Sequence, residues 1–479
     1  MGASPLRADE PPRTLADLNP ETREPWYPDF DRYFQTYVPL FDLDGTGRTA
    51  EQARRYAWGL LGNEEVKSME PIAERTATPY HRTQHFITDS PWPPELVQLA
   101  HAKEMGRRFA SPNGVLALDD EGDPKKGKDS AGVYRQYCGN RGKEENCQVG
   151  VCLSYVRPDP ERYADMESFG MGMQLYLPKE RAEDPVHREK THVPEMIQYE
   201  PKWKIGLGLI DRVLALKLPH RAVAADADYG RAGDFRKALR DRKEAYVLGV
   251  QPTQTEVGVL GKDGRPAEPR KLSEVAKGLP EKAWKKVVWS QGTKGKLTME
   301  AARLRAQVCA EGKPIEKEEV WVVFERRDNE TKAYVVWGLA ELGLRAQVQL
   351  IRARWGIELW FEHGKSELGL DQFEGRTWPG WHHNATMVML AHGFLTIERS
   401  RGKGKKGEPL PTLPAVKRGV QHRVSFELGT RLVEEEGRDR RERLLITFCY
   451  AMGRPPKLTK DGHIFVSSDW RDYLDAPRW

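Results

Sequence analysis

The sequence predicts a mixed α/β protein, in which helices flank a mixed sheet, with a β-rich insertion and a helical N-terminal domain. Residues 28–112 carry mainly helix signals, and residues 113–250 pass from strand-like runs to an alternation of helix and strand. Residues 251–343 are rich in turns and contain isolated apolar strands. Strands followed by a helix–strand alternation are typical of a mixed sheet rather than a doubly wound one.

The composition indicates a folded chain of several domains. Its 479 residues exceed what one core usually organises, and 39% are hydrophobic while 31% are charged. No run approaches the roughly 18 consecutive apolar residues of a membrane-spanning helix, so we expect no membrane partner. Residues 1–27 lack the apolar core of a signal peptide and are predicted to be a Pro-rich leader.

The five cysteines are sparse, odd in number and without a C-x-x-C pair. This pattern favours buried thiols in a reducing cytoplasm over a disulfide framework or a zinc site.

Residues 28–112 are predicted to form a helical DNA-binding domain. Two short helices around the turn at 76–79 suit a helix-turn-helix. Its second helix would present polar side chains to DNA: Tyr80, His81, Arg82 and Gln84. A small helical bundle with a polar surface explains the same pattern equally well.

Two basic stretches stand out from a net charge of only +5. The first contains Lys125, Lys126 and Lys128, and the second opens the predicted basic linker and C-terminal helical region, 401–479, with Lys403, Lys405 and Lys406. Flexible basic segments contact phosphate backbones, although many are only solvated. We predict that these lysines and Arg82 contact DNA.

Carboxylates follow two predicted strands and recur on one predicted helix. Asp119 and Asp120 end the run VLALDD, Asp226 and Asp228 end AVAADAD, and Glu358 lies on the helix after the insertion. Oxygen ligands of this kind suit Mg²⁺ or Mn²⁺, and two such ions can promote phosphodiester chemistry. Strand alternation places Asp119 and Asp120 on opposite faces, so one of them faces a given site. Any one of these acids taken alone is better explained as a turn cap.

The helix in the predicted segment 344–400 carries an unusual stripe. Arg354, Glu358, Phe361 and Lys365 lie within about 60° of one another around the helix axis. An arginine and a lysine beside a metal-bound phosphate would hold it through a bidentate guanidinium and a compact ammonium. The alternative is an exposed i,i+4 ion pair above a core phenylalanine.

Three blocks together resemble bacterial insertion-sequence transposases of the DDE type. LALDDEGDPKKGK resembles their first catalytic block and AADADYG their second, while RARWGIELWFEHGK resembles their third. In the third block, Arg354, Glu358 and Lys365 match the Tyr-Arg-Glu-Lys signature of one large group. Ile351 stands where that signature has tyrosine, and Glu121 and Asp123 stand where threonine and phenylalanine are usual.

The resemblance implies an RNase H-like core formed by residues 113–250 and 344–400, interrupted by the insertion at 251–343. It implies that Asp120, Asp226 and Glu358 bind two Mg²⁺ or Mn²⁺ ions, with Asp119 and Asp228 as reserve ligands. Arg354 and Lys365 are then catalytic residues that hold phosphate.

The implied function is DNA transposition. The protein would bind the terminal inverted repeats of an insertion sequence, cleave them as a metal-dependent endonuclease and join the 3′-hydroxyl ends to target DNA. We expect double-stranded DNA as partner, a homodimer in the synaptic complex, and a bacterial cytoplasmic, nucleoid-associated location. The alternatives are a domesticated or inactive transposase that only binds DNA, and an RNase H-fold nuclease without strand transfer.

Overall fold

A computed structural model describes residues 28–62, 66–76, 78–160, 162–292, 294–327, 330–402, 411–421, 457–458 and 464–465. These residues belong to two compact units. No helix among them is long and apolar enough to cross a membrane.

The first unit contains the residues up to Trp92, residues 367–373 and the residues from Leu390 onward. Its N-terminal helices are α1 (Pro28–Phe34), α2 (Val38–Phe41), α3 (Arg48–Leu60), α4 (Met69–Arg75) and α5 (Tyr80–Thr88). Aromatic side chains form its core, with Trp92 packed 4.9 Å from Phe41 and 5.6 Å from Phe86 between ring centroids. All three rings are buried, Phe41 and Phe86 on the inner faces of their helices and Trp92 in the segment after α5.

The second unit contains residues 93–366 and 374–389. Its first half comprises α6 (Pro94–Phe109), β1 (Val115–Pro124), β2 (Tyr134–Cys138), β3 (Lys143–Pro158), β4 (Met166–Leu175), α7 (Lys179–Ala182), α8 (Pro185–Lys190), α9 (Lys202–Leu214), β5 (Ala222–Ala225), α10 (Ala227–Gly230), α11 (Gly233–Asp241) and β6 (Tyr246–Val250). After α6, four successive strands come first and an alternation of helices and strands follows, as the sequence predicts.

The elements that follow β6 along the chain begin in the turn-rich region, and those from Leu390 onward belong to the first unit. They are β7 (Glu256–Val259), β8 (Arg270–Lys271), α12 (Leu272–Lys277), β9 (Lys285–Gly292), β10 (Gly295–Ala310), β11 (Lys313–Arg327), β12 (Glu330–Trp337), α13 (Leu344–Ala353), α14 (Trp355–Leu368), α15 (Trp378–Arg401) and the short pair β13 (Lys457–Leu458) and β14 (Ile464–Phe465).

The central strands run in the order β4-β3-β1-β5-β6. β1 pairs antiparallel with β3 and parallel with β5, and β5 pairs parallel with β6. Helices flank these strands, whose pairings are antiparallel for β4–β3 and β3–β1 and parallel for β1–β5 and β5–β6. The predicted mixed α/β fold is therefore confirmed.

The strands of the predicted insertion continue the same sheet. β12 pairs antiparallel with β6, and the order then runs β12-β11-β10-β7-β8, with β9 paired to β10. Region 251–343 is thus β-rich and joined to the core sheet by backbone hydrogen bonds. The domain boundaries themselves stay a prediction.

A buried ion cluster joins the insertion to the core sheet's helices. Glu318 of β11 is fully buried and lies 2.6 Å from both Arg236 and Arg240 of α11. It also accepts a hydrogen bond of 3.0 Å from the Tyr246 hydroxyl on β6. Buried charges of this kind require close partners because desolvation is costly.

Helix α14 packs tightly against the inner strands. A Cβ atom added at Gly356 would lie 2.5 Å from a methyl carbon of Val156 on β3, and one added at Gly170 of β4 would lie 3.0 Å from the Trp360 ring. Trp360 and Phe361 are both buried, with ring centroids 5.3 Å apart. Small residues therefore allow the helix to approach the sheet closely.

Candidate active site

The two aspartates of β1 lie on opposite faces of the strand. Asp119 is paired with Cys152 and Asp120 with Val151 on β3, in an unbroken antiparallel register. Both carboxylates are largely buried, with side chains 13% and 19% exposed. The side chains of Asp119 and Asp120 thus point to opposite faces of β1, as strand alternation predicts.

Asp226 lies beside them on the neighbouring strand. Leu118 pairs with Ala225 in parallel register, so Asp119 and Asp226 are the next residues on their two strands. The strand ends there because Asp226 caps α10, accepting hydrogen bonds from the backbone N–H groups of Asp228 and Tyr229 at 3.0 and 3.3 Å. Asp228 turns outward and its side chain is 52% exposed.

Arg354 connects the third predicted acid to β1. It occupies the junction between α13 and α14, and its guanidinium forms an ion pair with Asp119. The same Nη1 atom lies 3.4 Å from Oε1 of Glu358. The structure therefore brings Arg354, Glu358 and Asp119 together across 235 residues of sequence.

Each further acid of β1 also has a basic partner. Asp120 lies 2.5 Å from Nζ of Lys202, the first residue of α9. Glu121 lies 3.3 Å from Nζ of Lys365. Asp123 lies 2.5 Å from Nζ of Lys125. Glu121 and Asp123, which stand where the resembled transposases have threonine and phenylalanine, thus each contact a lysine.

Lys202 was not among the residues predicted from the sequence. It belongs to neither a basic run nor a catalytic block, and 82 residues separate it from Asp120. Nothing in its local sequence distinguishes it from Lys204, whose side chain is exposed and pairs with Glu200. Only the packing of α9 beside β1 identifies it.

The pKa values report a surplus of negative charge in this cluster. Burial raises the pKa of Asp119 well above its usual range, and Asp226, Asp120 and Glu358 raise it further against the opposing effect of Arg354. Burial, then Asp120 and Asp228, raise the pKa of Asp226. The Arg354 pKa is also raised, because its carboxylate neighbours outweigh the effect of burial.

The donor set suits a divalent cation in its chemistry. Crowded carboxylates gain from a nearby multivalent cation, as the raised pKa values of Asp119 and Asp226 indicate, and hard oxygen ligands are those that Mg²⁺ and Mn²⁺ prefer. Among the described residues, however, no three His, Cys, Asp or Glu side chains are already grouped closely enough to hold an ion. The Arg354 guanidinium and the Lys202 ammonium contact Asp119 and Asp120 in that arrangement.

The remaining predicted residues include the expected DNA contacts. Lys126 and Lys128 are exposed in the loop after β1, and Arg82 is exposed on α5. Lys403, Lys405 and Lys406 lie outside the described residues. The remaining member of the helical stripe, Phe361, is only 2% exposed and serves the core.

Tryptophans around the third block differ in exposure. Trp360 and Trp378 are buried, whereas Trp355, directly after Arg354, is 59% exposed.

The cysteines present in the described residues are buried free thiols: Cys138, Cys147, Cys152 and Cys309. Cys449 lies outside those residues.

Comparison with known families decides the assignment. The sequence model described as "DDE superfamily endonuclease" matches residues 42–296, more than half of the chain. The chain belongs to the DDE superfamily of endonucleases. The matched region contains Asp120 and Asp226, and it ends before Arg354 and Glu358, whose place in the site rests on geometry.

A curated relative agrees with this family. The chain is 26% identical over 237 residues to a "probable transposase for insertion sequence element IS701" from Microchaete diplosiphon. The match covers 49% of this chain and 57% of that relative. The resemblance of this DDE chain to insertion-sequence transposases is therefore confirmed.

Among solved structures, a piggyBac transposase synaptic complex with hairpin DNA aligns over 94% of this chain and 86% of that chain. The identity is 10% and the TM-score is 0.39, which is too low to support an argument.

Proposed function

We propose that this DDE protein is a DNA transposase that cleaves the terminal inverted repeats of an insertion sequence and joins the resulting 3′-hydroxyl ends to target DNA. The observation that carries the proposal is the convergence of β1, the end of β5 and the start of α14 on one carboxylate cluster with Arg354 at its centre. The IS701 relative supports transposition as the reaction class.

We assign the ligand positions to Asp120, Asp226 and Glu358, which would hold Mg²⁺ or Mn²⁺. Asp120 is the position that the resemblance of the first block favours, and its charge raises the pKa of Asp226. Asp119 and Asp228 stay in reserve. Asp119 is ion-paired with Arg354, as Asp120 is with Lys202, and it keeps that guanidinium beside Glu358. When bound, the cations would activate the attacking oxygen and stabilise the leaving oxygen.

The protein's own side chains then hold and orient the DNA. Arg354 has a planar donor set that fits a phosphate, and Lys365 supplies a compact charge from α14. Water would hydrolyse the phosphodiester at the element's end and leave a 3′-hydroxyl and a 5′-phosphate. The 3′-oxygen would then attack a phosphorus of target DNA and displace the target strand's 3′-oxygen, which leaves as a hydroxyl. Exposed Lys126, Lys128 and Arg82 are proposed DNA contacts, and a homodimer would hold the two ends together.

The deciding variant is Glu358→Gln, which keeps the volume of the side chain and removes its charge. Its matched control is Glu362→Gln, an exposed glutamate one turn further along α14. The substrate is a plasmid that carries the ends flanking the gene, with Mg²⁺ present. We expect Glu358→Gln to lose cleavage by at least about a hundredfold, as expected when a group that acts on the transition state is removed, and to keep end binding in a gel-shift assay.

Normal cleavage by Glu358→Gln would remove this residue from the site. Products that are cleaved but never joined to target DNA would identify a nuclease without strand transfer. End binding without cleavage by the unmodified protein would identify a DNA-binding derivative.

A further inference from the structure

Lys202 forms an ion pair with Asp120, the aspartate of β1 that is assigned above as a metal ligand. Its Nζ atom lies 2.5 Å from Oδ2 of Asp120, and the two side chains are 29% and 19% exposed. The contact crosses from the first turn of α9 to β1, so the fold and not a local turn places the ammonium there.

We propose that Lys202 is a built-in cation that holds Asp120 before DNA binds, and that it exchanges Asp120 for a DNA phosphate when the substrate enters. This inference rests on the proposed function, because it takes Asp120 as a metal ligand and DNA as the substrate.

Lys202 opposes a cation at Asp120. Its ammonium hydrogen bond of 2.5 Å takes up one of the roughly four acceptor positions of the Asp120 carboxylate. The positive ammonium would also repel an arriving divalent cation across a few ångströms. Lys202 and the metal ion therefore compete for Asp120.

The surroundings of Lys202 provide a second resting place for its charge. The ammonium lies 5.8 Å from the centre of the Tyr176 ring, and Tyr176 packs edge-on against Tyr199 with centroids 6.4 Å apart. Tyr199 is 42% exposed, so this aromatic pair extends from Lys202 to the solvent. The flexible lysine stem can move along it while the ring face still stabilises the cation.

A DNA phosphate is the partner that would draw the ammonium outward. It is an anion that must approach the same carboxylates for cleavage, and each phosphate neutralised by a lysine releases condensed counterions. Exchange would leave Asp120 open to the cation only after DNA has arrived. Metal occupancy and DNA occupancy would then be coupled through one side chain.

The first test measures Mn²⁺ binding to the DNA-free protein by the electron paramagnetic resonance signal of free Mn²⁺. Lys202→Met keeps the stem and removes the charge, and Lys204→Met removes the same charge from an exposed position on the same helix. We expect Lys202→Met to lower the Mn²⁺ Kd about fivefold, equivalent to about 1 kcal/mol for a partly exposed ion pair, and Lys204→Met to leave it unchanged. An unchanged or raised Kd in Lys202→Met would overturn the competition.

The second test measures the salt dependence of binding to a 30-base-pair duplex (about three helical turns) without divalent cations. Loss of one phosphate contact should reduce the slope of log K against log salt by about 0.9 in Lys202→Met. A slope equal to that of the unmodified protein would overturn the exchange step.

Failure of the proposed function has a different signature. Asp226→Asn should weaken Mn²⁺ binding in any case, and if the unmodified protein binds no Mn²⁺ at this site, the metal assignment itself is wrong. If that control behaves as expected while Lys202→Met matches the unmodified protein, only the role of Lys202 is wrong.

Discussion

Replacing Gly356 by alanine should damage activity far more than stability. A Cβ atom at this position would lie 2.5 and 2.6 Å from the two methyl carbons of Val156, about 1 Å closer than carbon atoms normally pack. Val156 is fully buried and β-branched, so it has no other rotamer to adopt readily. Helix α14 must therefore move away from β3, and it carries Glu358 two residues further along.

The expected change in the free energy of unfolding is the difference between two opposing effects. Overpacking costs about 1–3 kcal/mol, while the change from glycine to alanine in a helix returns about 1 kcal/mol, which leaves a loss of up to about 2 kcal/mol. A displacement near 1 Å at a catalytic group can reduce the rate about a hundredfold. The two effects can be measured separately, by urea unfolding and by single-turnover cleavage of the element's ends.

Two matched variants make the result decisive. Gly208 lies on an exposed face of α9 with no atom within 4 Å of an added Cβ, so Gly208→Ala should stabilise the protein by about 0.5–1 kcal/mol and leave cleavage unchanged. Adding Val156→Ala to Gly356→Ala should return much of the lost activity, because it removes the two clashing methyl groups. Full activity in Gly356→Ala alone would refute the reasoning.

Two further predictions concern stability. Glu318→Gln should lower the free energy of unfolding by about 3–5 kcal/mol, because it leaves the two buried arginines of α11 without their carboxylate. Glu319→Gln, at the adjacent exposed position, should lower it by less than about 1 kcal/mol. Urea unfolding and hydrogen exchange of α11 measure both losses, and equal losses would show that burial does not matter. His220 lies 2.8 Å from Glu244, and although burial lowers its pKa, the hydrogen bond to Glu244 raises it overall. A raised folded-state pKa stabilises the protein below the unfolded pKa and ceases to do so as pH rises through the folded value. His220→Gln should thus cost about 1 kcal/mol at pH ~5.5 and little at pH ~9, and in a Glu244→Gln background this pH dependence should disappear.

Much of the site was predictable because its positions are fixed by local rules. Strand alternation separates Asp119 from Asp120, and a strand that ends in small residues places Asp226 at its carboxyl end. The four-residue spacing brings Arg354 and Glu358 together, because Arg354 keeps a helical backbone conformation at the junction between α13 and α14. The family resemblance then distinguished these acids from the many that only cap turns, which no single position could do.

Other features depended on the tertiary structure. The 16-residue strand β10 was not predicted, because its alanines, arginines and leucine do not favour a strand locally, and pairing with β11, β9 and β7 determines its conformation. The continuation of the core sheet into the insertion likewise requires knowing that β12 pairs with β6.

The sequence by itself determined which residues carry charge at the ends of strands and along one helix, because those periodicities are properties of a single element. Only the tertiary structure decided which cation each acid contacts. Asp119 is held by Arg354, Asp120 by Lys202 and Glu121 by Lys365, over separations of 82 to 244 residues. Contacts of that range come from packing whole elements against one another, and no local pattern encodes them.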